Sequence, residues 1–387
     1  MDLDTRFPAV SDLRQRARQR IPHFVFEYLD SATGREEQHS RNQKSLSDIQ
    51  FWPAILEGEP EADLSTTFLG RDYPLPFGCA PVGMSGIMWP GAEKLLAAAC
   101  SKAGVPYCMS TVATVVPETL SPHIGDQGWF QLYMPKNKDI RLDMCKRAKA
   151  AGFHSLILTV DVPLESRRER QRRANLTIPP KINAAMVWSM MTHPEWTIGT
   201  LREGIPSLKF CEDYAKDMEA TSVAHAGHVI RGNPSWDDIA WMRDHWEGPL
   251  LVKGVQKGRD AQKLVKLGVD AIWVSNHSGR QFDGGPASID CLADIRAAVP
   301  STPIVFDSGV TGGLDIMRAL ALGADFVMLG RAFHYAVGAL GSRGPAHLIH
   351  LLEQDMLSCM GQIGAQSLSD LPARLLSQPD QPASSTA

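Results

Sequence analysis

The densest chemical signal in the chain is one segment, Val274-Ser275-Asn276-His277-Ser278-Gly279-Arg280-Gln281-Phe282-Asp283-Gly284-Gly285. An imidazole titrates near neutral pH, so His277 can accept a proton. A guanidinium presents a planar fork that grips a carboxylate, so Arg280, three residues on, suits an anionic substrate. Alone, His277 reads as a core histidine bonded to backbone; beside Arg280 and the glycines it reads as a general base. Asp161, in Leu158-Thr159-Val160-Asp161-Val162-Pro163, is the carboxylate that could fix its tautomer and stabilise the imidazolium, with a helix cap as the plainer role. Seven residues further, Arg168 lies in Arg167-Arg168-Glu169-Arg170. Such a run is usually solvated, but one member facing inward would supply a second carboxylate clamp.

These residues need a frame. From about residue 75, short apolar runs alternate with amphipathic segments: Pro76–Val82, Pro106–Ser110, Trp129–Met134, Ser155–Asp161, Pro249–Val255, Ala271–His277, Pro303–Asp307 and Asp325–Gly330. Helix-like stretches include Ala92–Ala103, Ile140–Ala151, Gly258–Leu267, Ile289–Ala298 and Gly312–Leu322. Continuous apolar strands separated by helices belong to a parallel sheet, and eight in series argue for an α/β fold of the closed (β/α)8, or TIM, barrel type. An open doubly wound sheet would usually carry a GxGxxG turn, which is absent. A barrel builds its site at the C-terminal strand ends. Those ends read Val82-Gly83, Ser110, Gln131 with Tyr133, Thr159 with Asp161, Lys253, Ser275 with His277, Asp307 with Gly309, and Gly330-Arg331. Loops after the last two strands commonly bind phosphate through backbone amides, and Asp307-Ser308-Gly309-Val310-Thr311-Gly312-Gly313 with Gly330-Arg331 fits that pattern. A sugar phosphate, a nucleotide or a flavin would satisfy it.

The remainder of the chain bounds the reading. Its 387 residues carry a formal net charge of −4, 44% hydrophobic and 21% charged residues. That supports a large core and disfavours nucleic-acid binding, which calls for basic surfaces. Seven scattered cysteines without a CxxC pair argue against a disulfide framework or a structural zinc site, and no metal is expected. No secretory signal or membrane-spanning run is visible, so the expected location is cytoplasmic. The sequon at Asn175-Leu176-Thr177 reads as chance, and His225 with His228 as surface residues. One domain is expected over 1–374, with polar helices over 11–50, the barrel over about 75–345 and an insertion over about 170–247; 375–387 reads as a disordered tail. The insertion is rich in Met, Trp, Pro and His, and Ala184–Met191 with Trp196 could dock on a membrane surface; a lid or an oligomer contact is an equal alternative.

SNHSGRQFDGG resembles the signature of the FMN-dependent L-2-hydroxy acid dehydrogenases and oxidases, the family of respiratory L-lactate dehydrogenase, mandelate dehydrogenase and glycolate oxidase. VFEYLDSATG, CAPVGMSG, WFQLYM, LTVDVP, LVKGV, THPEW and ALALGADFVMLGRAF support the match from about Phe24 to Gln366. The resemblance implies FMN and a small 2-hydroxy acid substrate. His277 would be the base and Asp161 its holder. Arg280 and Arg168 would bind the substrate carboxylate, and Tyr28 and Tyr133 would touch carboxylate and hydroxyl. Lys253 would sit by flavin N1 and C2. Gln131, Thr159 and Ser110 would bond the ring edge, with Val82 and Gly83 near N5. Asp307, Ser308, Gly309, Gly330 and Arg331 would hold ribityl and phosphate, and Ser275 completes the cofactor set. Two departures stand out: Thr311 replaces a usual arginine that touches the phosphate, which predicts weaker FMN retention unless a neighbour compensates, and Ser278 replaces a common glycine. Gly83 implies a dehydrogenase passing electrons to a quinone or cytochrome, against an oxygen-using oxidase or a flavin-dependent isomerase as alternatives. The resemblance also implies a homo-oligomer, a tetramer, and leaves open peripheral attachment to the inner face of the cytoplasmic membrane.

Overall fold

The structure is a computed structural model that describes residues 2–58, 61–174, 184–215 and 232–376. The sequon, His225, His228 and almost all of the expected tail lie outside the described residues. A small antiparallel hairpin, β1 (Thr66–Phe68) and β2 (Arg71–Tyr73), precedes the main sheet. Then come β3 (Phe77–Cys79), β4 (Tyr107–Ser110), β5 (Gly128–Leu132), β6 (Ser155–Thr159), β7 (Leu250–Val255), β8 (Ala271–Val274), β9 (Ile304–Phe306) and β10 (Phe326–Leu329). These eight pair in parallel and in sequence, and β10 closes on β3, so the sheet is a closed barrel. All eight expected strands are present, each within its expected range or extended by one residue. Among the polar residues at their C-terminal ends, Ser110, Gln131, Thr159 and Lys253 are paired in the ladder, whereas Ser275, Asp307 and Arg331 lie just beyond their strands.

Alternation along the strands sorts side chains into two cores. Cys108, Trp129, Ile157, Leu251, Trp273 and Phe326 point inward and fill the barrel. Their neighbours Tyr107, Phe130, Leu156, Val252, Ile272 and Val327 point outward into the helical layer. The hairpin plugs the floor: Phe68 stacks on Trp129 at 5.8 Å and on Phe326 at 5.3 Å between ring centroids. Both faces of every strand are therefore dry, which is why the runs are continuously apolar.

Three N-terminal helices, Val10–Arg20, His23–Asp30 and Glu37–Ser47, lie outside the β/α repeat. They are bound to it by buried polar groups. Asp30 accepts from Arg14 (2.6 and 3.0 Å), Arg170 (3.0 Å) and the Tyr335 hydroxyl (2.8 Å). Asn42 and Asn276 exchange amide hydrogen bonds at 2.9 and 2.7 Å, pinning helix Glu37–Ser47 to the end of β8. In the insertion, helices Ala184–Thr192, Pro194–Glu203 and Lys209–Ala215 are described. Trp196, expected on a membrane-docking face, is instead buried: its Nε1 donates to the Ile87 carbonyl at 2.8 Å. The last stretch of the expected insertion forms helix Trp236–His245, whose Ile239 and Met242 join the outer core as part of the barrel's helical layer.

Candidate active site

A cleft of about 850 Å³ opens at the C-terminal ends of the strands. Its wall includes Tyr28, Val82, Gly83, Ser110, Tyr133, Arg168, Lys253, His277, Arg280, Asp307, Ser308, Gly309, Gly330 and Arg331. The remaining expected residues, Gln131, Thr159, Asp161 and Ser275, stand immediately behind that wall and support it.

His277 follows β8 in a left-handed backbone turn, with φ of 56° at His277, 57° at Ser278 and 74° at Gly279. Left-handed geometry costs a non-glycine residue roughly 1–2 kcal/mol, so the turn must be held. The His277 amide donates to Ser275 Oγ at 3.1 Å, and the Ser278 amide donates to Ser308 Oγ at 3.0 Å. His277 Nδ1 lies 3.1 and 3.3 Å from the two Asp161 carboxylate oxygens. Burial pulls the imidazole below its ordinary pKa, opposed by Asp161 and reinforced by Lys253 and Arg168. Burial works against an ionised Asp161, but the His277 ring and Lys253 outweigh it and bring the carboxyl down. The pair is thus an ionised Asp161 accepting from Nδ1–H of a neutral ring, which leaves Nε2 able to take a proton. Gly254 makes room for this carboxylate. Its φ is +105°, and a Cβ there would fall 2.5 Å from Asp161 Cβ.

Lys253, at the end of β7, is buried with its Nζ 2.6 Å from Ser275 Oγ and 2.7 Å from Asp307 Oδ2. The same Asp307 oxygen accepts from Trp273 Nε1 at 3.0 Å, so the ammonium is fixed in place. On the substrate side, Arg280 Nη1 donates to the carbonyls of Tyr28 (2.9 Å), Leu29 (3.2 Å) and Ser31 (2.9 Å). Burial, with Arg168 and Arg331 nearby, pushes its pKa down to about 9. The guanidinium stays charged at neutral pH, and among the described residues its partners are carbonyls with no carboxylate counter-ion. Arg168, itself at φ 44°, donates from Nε to Ser166 Oγ at 3.1 Å, and Ser166 Oγ donates to the Arg280 carbonyl at 2.6 Å. One hydroxyl thereby couples the two arginines. The other members of the run diverge: Arg170 binds Glu27, Asp30 and Glu36 at 2.6 to 3.1 Å, while Arg167 is exposed. The Tyr28 hydroxyl donates to the Gly83 carbonyl at 3.1 Å, joining the N-terminal segment to the end of β3.

The donor set fits a flavin. Gln131 Nε2 and Thr159 Oγ1 are buried just behind the cleft wall, and neither has a hydrogen-bond partner among the described residues. Gln131 is registered with Ser110 and Thr159 with Lys253, so the four form a rank of polar groups across adjacent strands. Arg331 Nε is likewise buried without a partner at the far end. Buried orphan donors are costly and ask for a ligand edge. Sequence reasoning missed Ser166, His39 and His334. His334, one turn into helix Arg331–Leu340, has Nδ1 2.8 Å from the Gly330 carbonyl and Nε2 2.7 Å from Ser85 Oγ. Burial holds it near 4, so it is neutral and ties β10 to the loop after β3. The available signal was its place directly after the ALALGADFVMLGRAF stretch.

A parallel barrel whose mouth combines a histidine–aspartate pair, two carboxylate-seeking arginines and orphaned donors for a flat polar ring defines a flavin-dependent enzyme acting on small acids. Residues 17–378 match the model of the FMN-dependent dehydrogenase family, and the chain belongs to that family. It is 36% identical over 365 residues to L-lactate dehydrogenase of Xanthobacter autotrophicus, covering 93% of this chain and 94% of that protein. It is 37% identical over 372 residues to L-lactate dehydrogenase of Ectopseudomonas mendocina, covering 95% and 98%. Among solved structures, the monotopic membrane protein (S)-mandelate dehydrogenase superposes with a TM-score of 0.90 at 31% identity, covering 96% of this chain and 99% of that one. Mandelate oxidase gives 0.81 at 29% identity, with 96% and 98% covered. The chain is an FMN-dependent 2-hydroxy acid dehydrogenase, with FMN as its cofactor.

Proposed function

We propose that the enzyme oxidises an L-2-hydroxy acid of the lactate or mandelate type to the 2-oxo acid and passes the electrons to a quinone or cytochrome. The observation that carries this is the Asp161-held His277 facing a cleft that also holds Arg280 and Arg168, guanidinium groups paired among the described residues with neutral acceptors. A substrate carboxylate supplies the missing counter-ion and is gripped by both arginines, with Tyr28 and Tyr133 beside it. That grip fixes the α-carbon, which is most of what orientation can contribute. His277 Nε2 then takes a proton from the substrate, and Asp161 stabilises the imidazolium so formed. When bound, FMN supplies the two-electron sink for the substrate's α-carbon. Lys253, held by Asp307 and Ser275, places positive charge where negative charge develops on reduction. Ser110, Gln131 and Thr159 serve the ring edge, Val82 and Gly83 its centre, and Ser308, Gly309, Gly330 and Arg331 the ribityl phosphate.

Anaerobic mixing with a panel of small, aromatic and long-chain L-2-hydroxy acids tests the reading. At least one should bleach the flavin, and reoxidation by a quinone analogue should outpace that by oxygen. A flavin bleached by no 2-hydroxy acid, or one reoxidised faster by oxygen, would overturn the corresponding half.

We further infer peripheral membrane contact through the insertion. Among the described residues no helix is long and apolar enough to cross a membrane. Trp188, Met191, Leu201 and Ile205, however, are 66–72% exposed on neighbouring segments, and one structural relative is described as monotopic. Such a patch is a recognisable interfacial anchor. Wild-type protein should sediment with anionic lipid vesicles, and Trp188→Ser with Leu201→Ser should not; equal recovery in the supernatant would remove the idea.

A further inference from the structure

Along the wall of the cleft, helix Glu37–Ser47 presents His39 and, one turn on, Gln43, on a lining that also holds Gly309, Thr311 and Arg331. Thr311 stands where the family resemblance implies a phosphate-binding arginine, and it supplies no charge. Its amide and hydroxyl both donate to Asp315 Oδ2, at 2.9 and 2.8 Å, at the start of the following helix. Arg331 supplies positive charge here, and Arg14, which also lines the cleft, is paired with Asp30. Arg331 Nη2 donates to the carbonyls of Ser31 (3.1 Å) and Ser278 (3.4 Å), its Nε is buried without a partner, and its Nη1 donates to His39 Nδ1 at 2.9 Å. Because Nδ1 is the acceptor, the neutral His39 ring carries its proton on Nε2, a second donor beside the guanidinium.

We propose that His39 joins Arg331 as a ligand of the FMN phosphate, replacing functionally the arginine that Thr311 displaces. The proposal rests on the FMN assignment and adds to it the donor set for the anion. An arginine brings permanent charge, whereas a histidine brings charge only when its surroundings favour protonation. Burial, then Arg331, hold His39 down to about 4, with Arg14 adding to the effect and Glu36 and Asp30 opposing it. Those two carboxylates are engaged elsewhere, Asp30 by Arg14 and Arg170 and Glu36 by Arg170. A phosphate near dianionic at neutral pH would reverse this balance. Binding then raises the His39 pKa and takes up a proton at Nδ1, which gives up its bond from Arg331 Nη1 and leaves that guanidinium nitrogen free to turn to the phosphate. A group whose pKa rises on binding strengthens the complex below the bound value, and that gain is lost as pH rises through it. FMN should therefore bind more tightly at pH 6.5 than at pH 8. Below about pH 6 the phosphate itself loses charge and the trend reverses.

Flavin-stripped protein titrated with FMN and with riboflavin, by quenching of flavin fluorescence at both pH values, tests this. In the wild type FMN should show the pH dependence and riboflavin, which has no phosphate, should not. His39→Leu should weaken FMN about tenfold at pH 6.5, the worth of one charge-assisted hydrogen bond, abolish the pH dependence and leave riboflavin alone. His39→Gln keeps a donor and should retain most of the affinity without the pH dependence, which covers a Leu variant that fails to fold. Thr311→Arg should tighten FMN and make His39→Leu nearly silent. An equal loss of riboflavin and FMN in His39→Leu would mean that His39 only shapes the protein. A wild-type FMN affinity indifferent to pH would also overturn the proposal. Failure of both flavins to rebind would instead strike at the cofactor assignment.

Discussion

The two ends of the cleft are built differently. At the Asp161 end the working groups sit on or just beyond β6, β7 and β8, and each is held by a charged or backbone partner: His277 by Asp161 and Ser275, Lys253 by Asp307, Arg280 by three carbonyls. At the Arg331 end a loop, a helix start and an N-terminal helix meet, and the principal side-chain contact is between a guanidinium and a neutral imidazole. Strand register places Lys253, and the turn after β8, held by Ser275 and Ser308, places His277 against Asp161. The second set only has to hold an anion, and a looser arrangement suffices.

The comparison breaks most visibly at the base. His277→Ala should reduce turnover about 10³-fold, within the usual span for a positioned general base, while the protein stays yellow; steady-state rates with a flavin absorbance spectrum check both halves. Asp161→Asn should cost roughly 10²-fold or more by unlocking the tautomer. It should also move the acid limb of the pH profile. As the proposed base, His277 must be neutral to act, so kcat/KM should fall as pH drops through its pKa, which lies below the ordinary 6.5. Asp161 is the group that raises that pKa, so its loss should shift the limb further down. A limb that shifts upward would refute the assigned pair. Arg280→Lys keeps the charge but loses the fork, and should raise KM about tenfold with a smaller change in kcat. Ser166→Ala should have the smallest effect, a roughly two- to threefold rise in KM from uncoupling Arg168 and Arg280, and Ser166→Thr should restore it. All four should leave the FMN dissociation constant near that of the wild type. If they loosen FMN as strongly as His39→Leu does, the two ends are not separable.

The strands were legible because a barrel buries both faces of each one, so the runs are continuous and their polar ends conspicuous. Asp161 and His277 stood out as polar residues after apolar runs, Arg168 and Arg280 as arginines seven and three residues beyond them, and the structure brings the four into one region. The hairpin Thr66–Tyr73 was not foreseen: each strand has three residues with only one buried, too short for alternation to register. Helix Pro117–Ile124 carries an interior Pro122, which reads as a breaker. Ser166 and His39 escaped because their roles are set by partners distant in sequence, 114 residues away for Ser166 and 292 for His39. Nothing local marks His39, and Ser166 stands only two residues before Arg168 without any motif to announce their bond. Trp196 was misjudged because an aromatic residue in a long connection reads equally as a surface anchor or a wedge, and only the Ile87 carbonyl decides.

The aromatic stopper beneath the barrel has a kinetic consequence. With Phe68, Trp129 and Phe326 filling the floor, the cleft at the strand ends is the opening that the described residues offer to whatever visits the isoalloxazine. The hydroxy acid that delivers electrons and the acceptor that collects them must take turns there. Initial-rate plots against both partners should therefore give parallel lines, the pattern of alternate occupancy.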